Sequence, residues 1–559
     1  QEGRDLGVDA TAATRRGKKV FEERGAKAKR RTAKIGNFAC TNAGAKKLWK
    51  TGGMPQAVWG VEAFGASPEQ VEAFRGLAAQ ASGGRSRVGR CKAVTIALEF
   101  KSGDDPAIAV RCRILLQWCA TWAELSSSDR TEVQRMWIRA MPQLKEEKGR
   151  WKRVIGNMSA AIATVFDIGW WPVAANQWLH SSKDKFVNLD DPELSKDLLK
   201  EAIEEEVSKG IWEKAAGGYC GAGMGQGVDL TVGKRMLATF RRLGHVAHAV
   251  ALICTLEAGQ WTQERIWAAR GGKGSNMCPR CGLAPETAKH RYYECKANDD
   301  IEAAGLKDSA KYVSRARQGF EEFPCFWGRG VVPASWSEAA LHGPVVNWWH
   351  EQGSEPDVDS TAQVTICSDG SGGPDSRDPR LRRVAFGAVR VRQGEGSTWA
   401  VSAAVWGTVG GRQTVPRAEV VGAHHGLKLA RAKEEVSIGI DASYVVGGAA
   451  KRNMARGSNA DVWRPFFLEL DKFERPPLVI KVRAHCEKRG YNSEASPSVT
   501  FANFAADLLA EGAANDAAVS SDTVRRVAEV DAMAKAILTR LVTIDMDAAK
   551  AGRQEMTVD

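Results

Sequence analysis

The chain has 559 residues and a formal net charge of +12, and it is 43% hydrophobic and 26% charged. That composition supports packed cores and excludes a chain disordered throughout. No apolar run reaches the roughly 18–20 residues of a membrane span, and the length suits several domains.

The opening QEGRDLGVDA holds neither a signal-peptide apolar core nor an initiator Met, so the chain reads as part of something longer. Most of the twelve cysteines stand singly in apolar stretches, as do Cys112, Cys119, Cys254 and Cys367. They read as reduced thiols of an intracellular protein, cytoplasmic or nuclear alike.

Residues 1–50 read as a basic arm. Positions 11–50 carry thirteen Lys/Arg against Glu22 and Glu23, which is +11 of the total +12. Such a block suits a polyanion, with Arg15, Arg16, Lys18, Lys19, Arg30 and Arg31 as candidate nucleic-acid contacts. A solvated face is the alternative.

Residues 51–230 read as helical. Ser67-Pro68-Glu69-Gln70 is a helix start with a capping box. Asp105-Pro106 opens a second helix, Ser128 and Asp129 can cap a third, and Asp191-Pro192 opens a fourth. The tryptophans at 118, 122, 137, 151, 170, 171 and 178 fall at core spacing. The Gly-rich 215–227 breaks the pattern.

Residues 231–300 hold a further helical stretch and then CPRCGLAPETAKHRYYEC. Cys278, Cys281, His290 and Cys295 fit a closed tetrahedral site for one structural Zn2+, and Gly282 permits the tight turn of the Cys-x-x-Cys pair. The spacing resembles the zinc segment found downstream of reverse transcriptases in non-LTR retroelements, and Glu286 and Thr287 fit it too. Residues 301–360 read as a helical and loop-like linker with tryptophans at 327, 336, 348 and 349, closing on the acidic EQGSEPDVDS.

From 361 to 515 the texture is that of strands, in the order β-β-β-α-β-α-β-α. Residues 516–559 add an amphipathic helix and tail. Four acids stand out, each beside apolar sequence: Asp369 at the end of VTICSD, Glu419 in VPRAEV, Asp441 at the end of VSIGID, and Asp507 in NFAADLLA, whose Phe504, Leu508 and Leu509 are expected to be buried. Acids so placed are costly unless a cation joins them. Two Mg2+ or Mn2+ ions about 4 Å apart would do so and would support phosphoryl transfer.

Residues 364–514 resemble a type 1 ribonuclease H domain. SDGSGG is similar to that family's first-strand D-G-S, VPRAEV to its RAE helix, IDASYV to its DSxYV strand end, NFAADLLA to its NxxADxLA helix, and VRAH to its VKGH-type strand end. The resemblance implies a five-stranded mixed sheet with flanking helices. It implies Asp369, Glu419, Asp441 and Asp507 as a metal-binding catalytic tetrad, Ser371 as a nucleic-acid contact, and His485 as a mobile histidine, though an ordinary buried or surface histidine is the alternative. Ala442 departs from the pattern, and so do the long segments 374–383 and 486–502.

LGVDATAA, the basic run and AVWGVEAFG resemble the region after the polymerase palm in non-LTR retroelement polyproteins. The Asp-Asp pairs at 104, 190 and 299 sit in polar turns and not in an apolar hairpin, so no polymerase activity is expected. The expected architecture is therefore multidomain: a mostly α-helical N-terminal region, a small zinc module, then an α/β ribonuclease H-like fold. The expected function is metal-dependent hydrolysis of the RNA strand of RNA–DNA hybrids, recognised by A-form geometry, 2′-hydroxyls and phosphates, with no membrane partner. A catalytically inactive nucleic-acid-binding remnant and a ribonuclease H-like DNA nuclease are the rivals.

Overall fold

The computed structural model describes residues 2–5, 8–11, 19–83, 89–182, 186–191, 194, 196–341, 343–351, 364–393, 398–430, 436–456, 459–475, 477–483 and 496–556. Arg15, Arg16, Lys18 and His485 lie outside the described residues. The chain divides into two compact units. The first joins Gln1–Leu194, Leu199–Ser337 and Val527–Asp559, and the second joins Ser195–Leu198 and Glu338–Arg526.

The first unit is mostly helical. Much of the expected arm is a packed helix, Lys19–Ala39, which buries Val20, Ala28, Thr32, Ile35 and Ala39 and leaves Lys19, Arg30 and Arg31 exposed. Fourfold spacing of small and apolar residues among helix-forming Lys, Arg and Ala accounts for it. The Pro68–Ala81 helix has its capping box: Gln70 N–H donates to Ser67 Oγ at 3.3 Å, and Ser67 N–H to Gln70 Oε1 at 2.9 Å. Asp105 caps Pro106–Glu124 through Ala107 N–H at 2.8 Å. The next helix, Ser127–Lys145, starts earlier than expected, because Ser126 and not Ser128 or Asp129 accepts the capping bond.

Trp118, Trp122, Trp137, Trp170 and Trp178 are buried, and the Trp118 and Trp137 indoles stay satisfied by donating to the Ala175 and Pro172 carbonyls. Trp151 is half-buried and Trp171 is 38% exposed. The stretch after 230 forms two helices, Thr231–Arg242 and Val246–Leu256, parted at Gly244, whose φ of 72° ends the first. A second core gathers around them. It takes Met533, Ala534, Ile537, Leu538 and Leu541 from the Ser521–Met556 helix, so the tail packs by its apolar stripe.

The second unit is built on a mixed sheet with six strands, one more than expected. They are β1 (Val346–His350), β2 (Thr365–Ser371), β3 (Ala385–Gln393), β4 (Trp399–Thr408), β5 (Ser437–Ile440) and β6 (Leu478–Lys481), in the spatial order β6-β5-β2-β3-β4-β1. The extra strand falls in the segment read as linker. Every residue of β1 is exposed, so it carries no alternating burial to betray it; its pairing with β4, Trp349 opposite Ala404, makes it a strand. β1 through β4 pair antiparallel, and β5 runs parallel to both β2 and β6.

Helices cover both faces. Val415–Lys428 and Ala460–Leu470 share a core with Ile366, Phe386 and Ile438, while Pro497–Asp516 packs on Cys367, Val389 and Ala404. Of the three residues expected to face the sheet from that last helix, only Leu509 packs there. Ala502, Ala506, Ala510 and Ala513 are buried, whereas Phe504 and Leu508 are 37% and 51% exposed. Small side chains let the helix lie close: a Cβ on Gly387 would fall 2.4 Å from the Ala506 carbonyl oxygen.

Replacing Gly387 by Val should therefore push this helix off β3. Overpacking of this kind costs about 1–3 kcal/mol, which urea denaturation would read as a lowered midpoint.

Candidate metal centres

Among the described residues two groups of side chains could hold a metal ion: Asp369, Glu419 and Asp441 in the second unit, and Cys278, Cys281, His290 and Cys295 in the first. Each group places one ligand atom per residue within 4.8 Å of all the others.

The carboxylate group is assembled by register. In the parallel β5–β2 pair Ile440 stands beside Ser368, so the next residue on each strand, Asp441 and Asp369, emerges at the same end of the sheet. Glu419 arrives on the Val415–Lys428 helix, opened by Pro416 in its first turn. Arg417 fixes that helix, donating from Nη1 to Asp461 Oδ1 at 2.8 Å and from Nε to the Gly410 carbonyl at 2.9 Å. Gly370 lets it approach, since a Cβ there would lie 2.7 Å from Glu419 N. Asp369 shares strand parity with Cys367 and so faces the Pro497–Asp516 helix, which brings Asp507 close enough to push the Asp369 carboxyl up.

Three of the four acids thus stand within ligand distance of one another, and the fourth, Asp507, is near enough to raise Asp369. Asp369 and Glu419 are buried, 8% and 6% exposed. Two ionised carboxylates at such a separation repel by roughly 3–4 kcal/mol at an effective dielectric of about 20. Burial, then the Asp441 charge, then Asp507 push the Asp369 carboxyl up to about 8. Burial, then Asp369 and Asp441, push Glu419 up to about 9, against the opposing pull of Lys481 and the Gly370 N–H. Glu419 Oε2 is buried with no hydrogen-bond partner. Hard oxygen donors, mutual repulsion and an orphaned carboxylate oxygen fit a divalent cation.

Lys481 went unnoticed in the sequence. It lies on β6, and its ammonium donates to the Asp441 main-chain carbonyl. A lysine inside the apolar LVIKV run was the available signal. Ser371 ends β2, half-buried, and its hydroxyl accepts from Gly373 N–H at 3.3 Å. Ala442 stands at the start of the Ser443–Ala449 helix and, having no hydroxyl, gives it no side-chain cap.

In the first unit the Cys278 and Cys295 sulfurs are 3.8 Å apart and Cys281 Sγ is 3.3 Å from His290 Nε2. Zn–S bonds of about 2.3 Å make a tetrahedral S–S edge of about 3.8 Å. The turn that brings the first two thiols together closes on Gly282, at φ 66°, whose N–H donates to the Cys278 carbonyl at 2.8 Å. The backbone N–H of Leu283 holds the Cys281 thiol below its usual value, while burial pushes Cys295 up to about 12. Thr287 Oγ1 accepts from His290 N–H at 2.9 Å and so starts the turn that carries the histidine. This Cys3His group could hold a zinc ion.

Residues beside these ligands grip the tail helix. Arg280 donates to Asp547 at 3.3 Å, the Tyr292 hydroxyl to Asp545 at 2.9 Å, and Arg540 Nε to the Tyr292 carbonyl at 2.8 Å. Arg291 pairs with Glu286 at 3.2 Å and with Asp545 at 3.7 Å.

No family model matches this chain, and no curated protein compared with it is significantly similar.

Elemental analysis of the purified chain should find one zinc, lost in Cys278→Ser. Chelation should also raise hydrogen exchange across Ser521–Met556, because Arg280, Arg291 and Tyr292 lose their fixed positions.

The carboxylates give a pH signature. Their folded values lie above the ordinary carboxylate range, so the stability they contribute is complete below about pH 4 and is lost as pH rises through about 8 and 9. In EDTA the melting temperature should fall over that interval. Mg2+ should restore it, more at pH 8 than at pH 6, and Asp369→Asn should melt higher in EDTA yet gain little from Mg2+.

Proposed function

We propose that the second unit is a metal-dependent nuclease that hydrolyses the RNA strand of RNA–DNA hybrids, within a retroelement-derived polyprotein. The observation that carries this reading is the meeting of Asp369, Glu419, Asp441 and Asp507 from two strand ends and two helices, in the order of the ribonuclease H motifs. The arrangement of a central mixed sheet with helices on both faces agrees with it.

Asp369, Glu419 and Asp441 would hold Mg2+ or Mn2+, with Asp507 completing the set through Asp369. Such ions, when bound in pairs, supply activation of a water and stabilisation of the leaving oxygen in an in-line phosphoryl displacement. The chain contributes position. Strand ends and the Arg417–Asp461 lock fix the carboxylates before substrate arrives, so little reorganisation opposes the reaction. Lys481 supports Asp441 from behind and tempers the charge on Glu419. Ser371, at the lip of the same strand as Asp369, stands where a backbone phosphate or 2′-hydroxyl can be met. The exposed basic face of the Lys19–Ala39 helix would add affinity without sequence preference.

The test is cleavage of a labelled RNA–DNA hybrid beside duplex DNA and duplex RNA. Hybrid cleavage should need Mg2+ or Mn2+ and fall at least about 100-fold in Asp369→Asn, as expected for loss of a ligand to a catalytic metal. Preference for duplex DNA, or full activity in Asp369→Asn, would overturn the assignment.

A further inference from the structure

A cavity of about 230 Å³ in the first unit has walls of unusual charge. Arg75, Arg90, Lys92, Lys214 and Arg329 line it, with Glu72 as the one acid among the described residues of its wall. Arg329 is fully buried and its guanidinium meets only uncharged atoms: the Leu256 carbonyl at 2.7 and 3.2 Å, the Cys220 carbonyl at 3.4 Å and the Met224 sulfur. No carboxylate pairs with it among the described residues. A buried guanidinium without a counter-charge is costly unless an anion visits it.

Arg75 is 6% exposed. Its Nε is committed to Asp105 at 3.1 Å and its Nη1 to Glu72 at 3.3 Å, but Nη2 is buried without an acceptor. Arg90 pairs with Glu257 at 2.8 Å, and Lys92 with Glu72 at 2.6 Å. Among the described residues, five cations against Glu72, Asp105 and Glu257 leave a surplus of two positive charges. The Lys92–Glu99 helix also opens onto the cavity through Cys91, Lys92 and Ala93, and Cys91 offers its first amides no side-chain cap. Uncapped helical N–H groups and the positive end of the helix dipole favour an anion there.

We propose that this cavity binds a dianionic phosphate group carried as a phosphate monoester. The free Nη2 of Arg75 and the open amides of the helix supply directed donors, Arg329 supplies buried charge, and Lys92 and Lys214 close the rim. The volume exceeds that of phosphate alone and leaves room for a sugar-sized substituent. The site belongs to the first unit and is independent of the carboxylate cluster.

Isothermal titration calorimetry of the full chain with inorganic phosphate and then adenosine monophosphate tests this. Saturable one-to-one binding of both is expected. Lys92→Ala and Lys214→Ala, made on the exposed rim where folding is not at stake, should together weaken binding about tenfold by removing two charge-assisted contacts. Arg75→Gln should weaken it further. No saturable heat with either probe, or unchanged binding in the rim variants, would overturn the proposal. So would displacement of adenosine monophosphate by a single-stranded oligonucleotide lacking terminal phosphates, which would assign the cavity to a nucleic-acid backbone.

Discussion

Asp369, Glu419 and Asp441 hold their oxygens within 4.8 Å of one another, the first two buried and the third half-buried. Left alone, such a cluster repels itself and takes up protons, and the raised Asp369 and Glu419 values express that cost. The second unit must therefore be stable enough to impose the cluster. Its means are ordinary ones: a six-stranded sheet, helices on both faces, and an Arg417–Asp461 pair that pins the helix bearing Glu419. A cation gathered there would convert the repulsion into attraction, and strain of this kind marks a functional site more readily than a structural one.

Close approach is the second requirement. Gly370 admits the Glu419 helix and Gly387 admits the Asp507 helix, each at a distance where a methyl group would collide with backbone. Ala502, Ala506 and Ala510 extend the same economy along the helix. Bulk is absent where carboxylates must converge and present where cores must fill, at Phe386, Trp463 and Phe466.

The first unit solves a different problem. Its chain is interrupted by nearly two hundred residues of the other unit before Val527–Asp559 returns to it. The returning helix is captured both by an apolar stripe and by polar contacts from residues adjacent to the Cys3His ligands. A metal held by the ligand loop would also order Arg280, Arg291 and Tyr292, and through these neighbours it would support the tail helix.

Local chemistry was legible in the sequence. The Ser67 capping box, the Asp105 cap, five of the seven tryptophans read as core and the Cys-x-x-Cys turn arise from interactions within a few residues, and these stand in the structure as their spacing indicated. The four acids could be named because each sits beside apolar sequence at a strand end or in a helix, which is a local oddity too. The features beyond reach depend on partners distant in sequence. β1 is exposed throughout and is made a strand only by β4. The Pro497–Asp516 helix has two plausible inner faces, and the glycine on β3 selects the alanine one. Lys481 is a lysine in a strand until Asp441 is placed beside it. Hydrophobic periodicity and capping are encoded over one or two turns of chain, whereas register, close approach and charge convergence are decided only when separate elements pack.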